Sequence, residues 1–374
     1  MTAPSHLPPA RLKPSTRTAL VRRWARRLGL AAGDPRESAP AASAPAPRAP
    51  QRPAGLSRPA VPRPTAVPRP TAGKQLWAWA ELLRAPGAFT VPGDALTGAA
   101  AAGAAPRGRT ALAVGASLCL YEAGMALNDW ADREEDARER PHRPLPSGRI
   151  RPEAALTAAG VLTAAGLALA ARAGRGALAV AVPLAATVWA YDLKLKHTPA
   201  GPAAMAAARS LDLLLGAAAA GGAVRPALAP AAVLGGHTYV LTLVSRREAE
   251  GGSTAVPLAA LAAAGALSAV LVRRPAGKPD AAPGALPVLT ADRATGAVRA
   301  AMAASYALTF GRPLLHAALN PSPVLTQRAV GGGIRAMMPL QGALTARAGA
   351  PGAALLIVAF APLAARLARK VSCT

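Results

Sequence analysis

The run Tyr121-Glu-Ala-Gly-Met-Ala-Leu-Asn128-Asp129-Trp-Ala-Asp132-Arg-Glu-Glu-Asp136 concentrates oxygen-bearing side chains. On a helix, Asn128, Asp132 and Asp136 fall at i, i+4 and i+8, which puts them on one face over about two turns. Three such groups suit a hard cation. Mg²⁺ prefers octahedral oxygen coordination and typically takes one or two carboxylates together with substrate phosphates. Clustered carboxylates repel one another when nothing binds them. The interleaved Arg133, Arg138 and Arg140 offer a plainer reading, a solvated and charge-balanced helix end.

Other candidates lie further along. Tyr191-Asp-Leu-Lys194-Leu-Lys196 closes an apolar run, and lysine is a compact point charge suited to phosphate. Arg143 precedes it in a basic loop and is able to pair bidentately with an anion. Lys194 and Lys196 also fit ordinary cationic flanking of a membrane span. Arg209, Asp212 and Gly216 recur at i, i+3 and i+7 within an apolar run, where ionisable groups usually mark a site or an internal pair. Glu122 is divided in the same way between site and packing. Arg84, ahead of the first span, is either a substrate ligand or a side chain reaching back to the interface.

The elements that must hold these residues read as transmembrane helices. The chain has 374 residues, 52% hydrophobic and only 3% aromatic, with 38 prolines, 35 glycines and 2 cysteines, which excludes collagen and disulfide-stapled modules. A span needs about 20 predominantly apolar residues. Candidate runs lie at 86–105, 110–130, 154–172, 176–192, 202–222, 227–245, 254–272, 297–319 and 350–369, about nine helices in an all-α integral membrane protein. Most lack the polar face of a soluble amphipathic helix. Their abundant Ala and Gly permit close helix approach in lipid. Cys119 and Cys373 suggest neither a bridge nor a metal cluster.

A net charge of +25 invites a nucleic-acid reading, but its placement argues for a membrane. Residues 1–74 hold fourteen Lys/Arg against Asp34 and Glu37 in a Pro/Ala/Arg-rich tail with no means of burying a core. This tail is expected to be disordered, with a repeated Val-Pro-Arg-Pro-Thr-Ala favouring polyproline II and a short basic helix over Arg17–Leu30 able to lie on an anionic leaflet. The second domain is 75–374. The loop after the second run carries Arg133, Arg138, Arg140, Arg143, Arg149 and Arg151, whereas the third-to-fourth connection has only Arg172 and Arg175. That bias places the tail and acidic motif in the cytoplasm, with the loop around Arg273, Arg274 and Lys278 opposing it.

The acidic motif followed by Arg143-Pro-Leu-Pro-Ser-Gly-Arg-Ile150 resembles the first motif and loop of the UbiA superfamily of intramembrane prenyltransferases, over roughly residues 76–370. The resemblance implies a UbiA-like bundle of about nine helices and Mg²⁺-dependent transfer from a prenyl diphosphate to an acceptor in the cell membrane. It implies metal held by Asn128, Asp132 and Asp136 with Asp129 beside them, and a diphosphate bound through the Tyr191–Lys196 segment with Arg143. Arg84, Arg209 and Asp212 complete the expected substrate contacts.

The family's second acidic motif is altered. Here Leu243-Val-Ser245-Arg246-Arg247-Glu248 leaves Glu248 as a single expected carboxylate, with an arginine replacing part of a second ion's charge. This variant looks most like the EboC-type branch. Loss of catalysis also follows from it as an alternative, giving a lipid-binding or export accessory with the same fold. CDP-lipid transferases fit less well for want of one compact motif combining Gly, Ala-Arg and widely spaced Asp residues, and secondary transporters because the acidic groups cluster near one surface rather than at a midplane site.

Overall fold

The computed structural model describes residues 71–105, 108–248, 253–273 and 286–370, all within the compact unit Val67–Thr374. The expected tail and its Arg17–Leu30 helix lie outside the described residues, as do Arg274 and Lys278.

The described residues are helical throughout. Helix α1 is Ala72–Leu82, α2 the single turn Ala85–Ala88, α3 Val91–Ala101, α4 Gly108–Glu139, α5 Pro152–Ala173 and α6 Arg175–Ala190. A π-turn at Tyr191–Leu195 extends α6. Then come α7 Gly201–Ala219, α8 Leu228–Ser245, α9 Ala255–Val272, α10 Leu286–Leu319, α11 Pro323–Arg347, α12 Pro351–Ala359 and α13 Ala361–Lys370. Five segments are long and apolar enough to cross a membrane: α4, α5, α6 with its π-turn, α8 with the 3-10 turn before it, and α9. The 32 residues of α4 reach about 48 Å against a hydrocarbon core of about 30 Å. Its acidic end therefore stands at or beyond the boundary.

Three expectations need correction. The first expected span, 86–105, is divided: just after Arg84, which takes a left-handed conformation (φ 49°), the single turn α2 precedes an α3 of only 11 residues. Pro86 and Pro92 each begin a short helix, where the missing N–H costs nothing. The last expected span, 350–369, is divided between α12 and α13. Conversely, α11 had been passed over because Arg328, Arg335, Gln341 and Arg347 depress its hydropathy, yet Ala336 to Ala346 form a continuous buried stretch.

Small residues set the packing distances. A Cβ on Gly98 of α3 would stand 1.9 Å from the Leu213 carbonyl of α7, and one on Gly216 2.2 Å from the Ala95 carbonyl, so the two backbones touch where a side chain would block them. Gly216, expected within a polar stripe, is thus a packing residue. On the other side α8, α10 and α11 meet around His237. Its Nε2 donates to the Gly333 carbonyl at 3.2 Å, leaving Nδ1 to accept from the Tyr306 hydroxyl at 3.1 Å, with Phe310 edge-on to the ring.

Gly216→Ala is expected to lower stability by roughly 1–3 kcal/mol, because backbone rather than a flexible side chain must move. Gly160→Ala, which meets nothing within 4 Å, should leave the detergent melting temperature unchanged or slightly higher. Comparing the two melts checks the α3–α7 contact.

Candidate functional site

The acidic end of α4 gathers side chains from four other segments. The left-handed turn at Arg84 aims its guanidinium at α4, where Nη2 lies 3.4 Å from both Asn128 Oδ1 and Asp129 Oδ1. From the α4–α5 loop, Arg143 Nη1 pairs with Asp136 Oδ2 at 2.8 Å and Asp129 Oδ1 at 3.7 Å. The π-turn after α6 buries Asp192, whose Oδ1 accepts from Asn128 Nδ2 at 2.9 Å, and Lys196 pairs with Asp132. Arg246, just after α8, donates to the Lys196 carbonyl at 2.8 Å and to the Thr198 carbonyl, tying α8 to that turn.

These pairings divide the residues expected to act together. Asp136 is 3% exposed, and both its oxygens face arginines, Arg143 on one side and Arg140 at 3.6 Å on the other. Its placement is that of an anchor for the basic loop. Asp132 remains half-buried and, with Glu135 and His197, brings three ligand atoms within 4.8 Å of one another. This is a donor set that fits a divalent cation, with Asp132 and Glu135 as the hard oxygen ligands. Lys194 points into solvent, while Lys196, two residues on, engages the acidic face. Tyr191 is half-buried at the start of the π-turn. Beyond α8, burial pushes the Glu248 carboxyl above its ordinary value and the Arg140 charge pulls it back, which puts Glu248 at the cationic rim.

Arg209 and Asp212 belong to a second, deeper group. Arg209 pairs with Asp94 of α3 at 2.8 Å and donates to Thr90 Oγ1 at 2.8 Å, so its direct partner is Asp94 rather than the expected Asp212. Asp212 accepts from Ser117 of α4. Gln341 of α11 donates to the Thr90 carbonyl at 2.8 Å and to Asp94 Oδ1 at 2.6 Å. Six residues separate Arg84 from Thr90, so the broken segment between α1 and α3 serves both groups. Glu122 is partly buried, with one carboxylate oxygen lacking a hydrogen-bond partner.

The sequence reading missed Asp192, Glu135, His197, Asp94 and Gln341 as participants. Asp192 was visible beside Tyr191, but the π-turn that directs it toward Asn128 has no composition signal. Asp94 stood out only as an acid in an apolar run. Gln341 lay in the helix that hydropathy passed over.

Fold and site together define a helical membrane protein whose acidic motif is walled by cations at one end of the bundle. The sequence pattern of the UbiA prenyltransferase family matches residues 89–272. Digeranylgeranylglyceryl phosphate synthase of Methanothrix thermoacetophila is 56% identical over 45 residues, covering 12% of this chain and 17% of its own. That of Methanopyrus kandleri is 36% identical over 86 residues, covering 23% and 31%. The matches thus span less than a third of these curated relatives. A solved structure described as digeranylgeranylglyceryl phosphate synthase in membranes superposes at a TM-score of 0.50 and 19% identity, over 75% of this chain and 99% of its own, which shows a shared fold.

Arg143→Ala removes the nearest cation from buried Asp136 and one of two from buried Asp129, and is expected to cost about 3 kcal/mol. Combining it with Asp136→Asn should recover most of that loss in thermal melts, since the second change removes the orphaned charge.

Proposed function

We propose that this chain transfers a prenyl group from a prenyl diphosphate to an acceptor within the membrane, with Mg²⁺ as cofactor. One observation carries the reading: Asn128 and Asp132 share a helix end with Arg84, Arg143 and Lys196, so carboxylates for a metal and cations for an anion stand together. Asp132, with Asn128 and Glu135 beside it, would hold Mg²⁺. The ion would neutralise charge growing on diphosphate as the allylic C–O bond breaks.

The chain's own residues do the rest. Arg84, Arg143 and Lys196 present fixed positive charge to the phosphate oxygens and strengthen as that charge develops, without proton transfer. Asp129 and Asp136 hold Arg143 in place, and Asp192 orients the Asn128 amide so that its oxygen faces Arg84. The apolar helix walls receive the prenyl chain and keep water from the allylic cation. Arg209 and Asp212 stand on the acceptor side. In this reading the cytoplasmic face carries the acidic motif, and α3 to α11 are the nine rods of the bundle. The Ser245-Arg246-x-Glu248 variant supports an EboC-like branch.

The accessory alternative draws support from the loop after α8. There Arg246 is engaged with backbone carbonyls, and Glu248 is the single carboxylate among the described residues of that loop. A binder would retain donor without releasing diphosphate.

Purified full-length protein in nanodiscs, given labelled prenyl diphosphates and Mg²⁺, separates these. The names of the relatives make geranylgeranyl diphosphate the donor to try first. Release of diphosphate is expected, falling at least about 100-fold in Asp132→Ala with the melting temperature retained. Donor binding without turnover in the unaltered chain would decide for the accessory. For orientation, a cysteine replacing Ser147 in intact cells is expected to resist an impermeant maleimide and to react once the membrane is opened. Labelling in intact cells would reverse the topology.

A further inference from the structure

A second cationic site lies on the other side of the bundle, between α10 and α11. Arg312 and His316 sit one turn apart on α10, while Arg328 and Arg335 lie seven residues apart on one face of α11. All four line a single cavity of about 350 Å³, whose remaining wall includes Leu308, Pro313 and Leu325. Each of the four is exposed, so the cleft opens outward rather than into the core. Gly331 makes room for one of the arginines: a Cβ there would stand 3.3 Å from Arg335 Nη1, so that guanidinium folds back toward the start of α11.

The charge in this cleft has no internal counterpart. The chain contains no Asp or Glu after Asp292, which stands near the opposite end of α10. The neighbouring α8, α9 and α12 contain none either. Among the described residues, none of the three arginines is ion-paired. Arginines that merely flank a span reach separately into the interface. Here three converge from two helices on one concavity, which calls for an external anion.

Its depth identifies the source. Arg347, ending α11, donates to the Val270 carbonyl at the end of α9, so α11 begins at the opposite end of the bundle. Arg246 fastens the end of α8 to the Lys196 turn, and α9 starts from that side. The short α10–α11 connection is therefore level with the acidic motif, at a membrane boundary. A phosphate there meets guanidinium forks, and an acyl chain below it meets leucine and proline.

We propose that the α10–α11 cleft binds the phosphate headgroup of an anionic phospholipid. Guanidinium groups grip phosphate bidentately, and basic pockets between membrane helices suit anionic lipid headgroups. The site is separate from the proposed prenyl diphosphate site, whose cations come from the turn before α2, the α4–α5 loop and the segment after the π-turn.

The test uses delipidated full-length protein in mild detergent, titrated with phosphatidylglycerol, phosphatidylcholine or inorganic phosphate. Retained lipid is counted by native mass spectrometry. Phosphatidylglycerol is expected to be retained over phosphatidylcholine, and Arg328→Gln to weaken its retention about fivefold, with a further loss when combined with Arg312→Gln. Because the basic tail is present in every variant, its binding cancels in the comparison. Arg312→Lys, which keeps the charge and loses the fork, should fall between and provides a folded control. Equal retention of the two lipids, no loss in the Arg→Gln variants, or displacement of phosphatidylglycerol by equimolar inorganic phosphate would overturn the proposal.

Discussion

Buried carboxylates need cations, and this requirement organises the acidic end of the molecule. Asp129 and Asp136 are both buried on α4, a helix otherwise rich in Ala and Leu. Leaving either charged and unpaired would cost several kcal/mol. Their arginines arrive from elsewhere: Arg84 from the turn before α2, Arg143 and Arg140 from beyond the end of α4. Satisfying the two acids therefore draws the basic loop and the N-terminal helices over the end of α4. The remaining polar groups, Asn128 and Asp132, are left to face the α6 turn and whatever lies between.

Small side chains supply the complementary constraint. Lipid gives helices no hydrophobic reason to associate, so close backbone approach and buried polar contacts must serve. At the α3–α7 crossing both act within two turns. Gly98 and Gly216 let the chains touch, while Asp94 and Arg209 pair across the same interface. Gln341 adds α11 to that contact, which makes the charged, weakly hydrophobic α11 a central element of the bundle.

Legibility from sequence followed the strength of the physical signal. The long apolar runs of α4, α5, α6, α8 and α9 were plain because lipid demands them. The run 86–105 reads as one span by hydropathy, although Pro86-Gly87 and Pro92-Gly93 mark where it divides into the single turn α2 and the 11-residue α3. Helix α11 escapes a hydropathy average for the converse reason: Arg328 and Arg335 are exposed while Ala336 to Ala346 are buried, a division that an average does not register. At the site, period put Asn128 and Asp132 on one helix face, while it was the resemblance that linked them to the segment holding Lys196, which pairs with Asp132. Period alone did not reveal that Asp136 spends both oxygens on arginines, because the path of the following loop determines that.

The π-turn at Tyr191–Leu195 fixes the length of its segment. An α-helix turns about 100° per residue, so a widened turn holds one residue more than a regular helix would and rotates everything after it accordingly. Asp192 and Lys196 both reach α4 from this widened turn. Shortening the segment by one position would swing the ammonium aside while leaving hydropathy and composition almost untouched. Insertions and deletions here are therefore constrained more tightly than substitutions, the reverse of what a surface connection ordinarily tolerates.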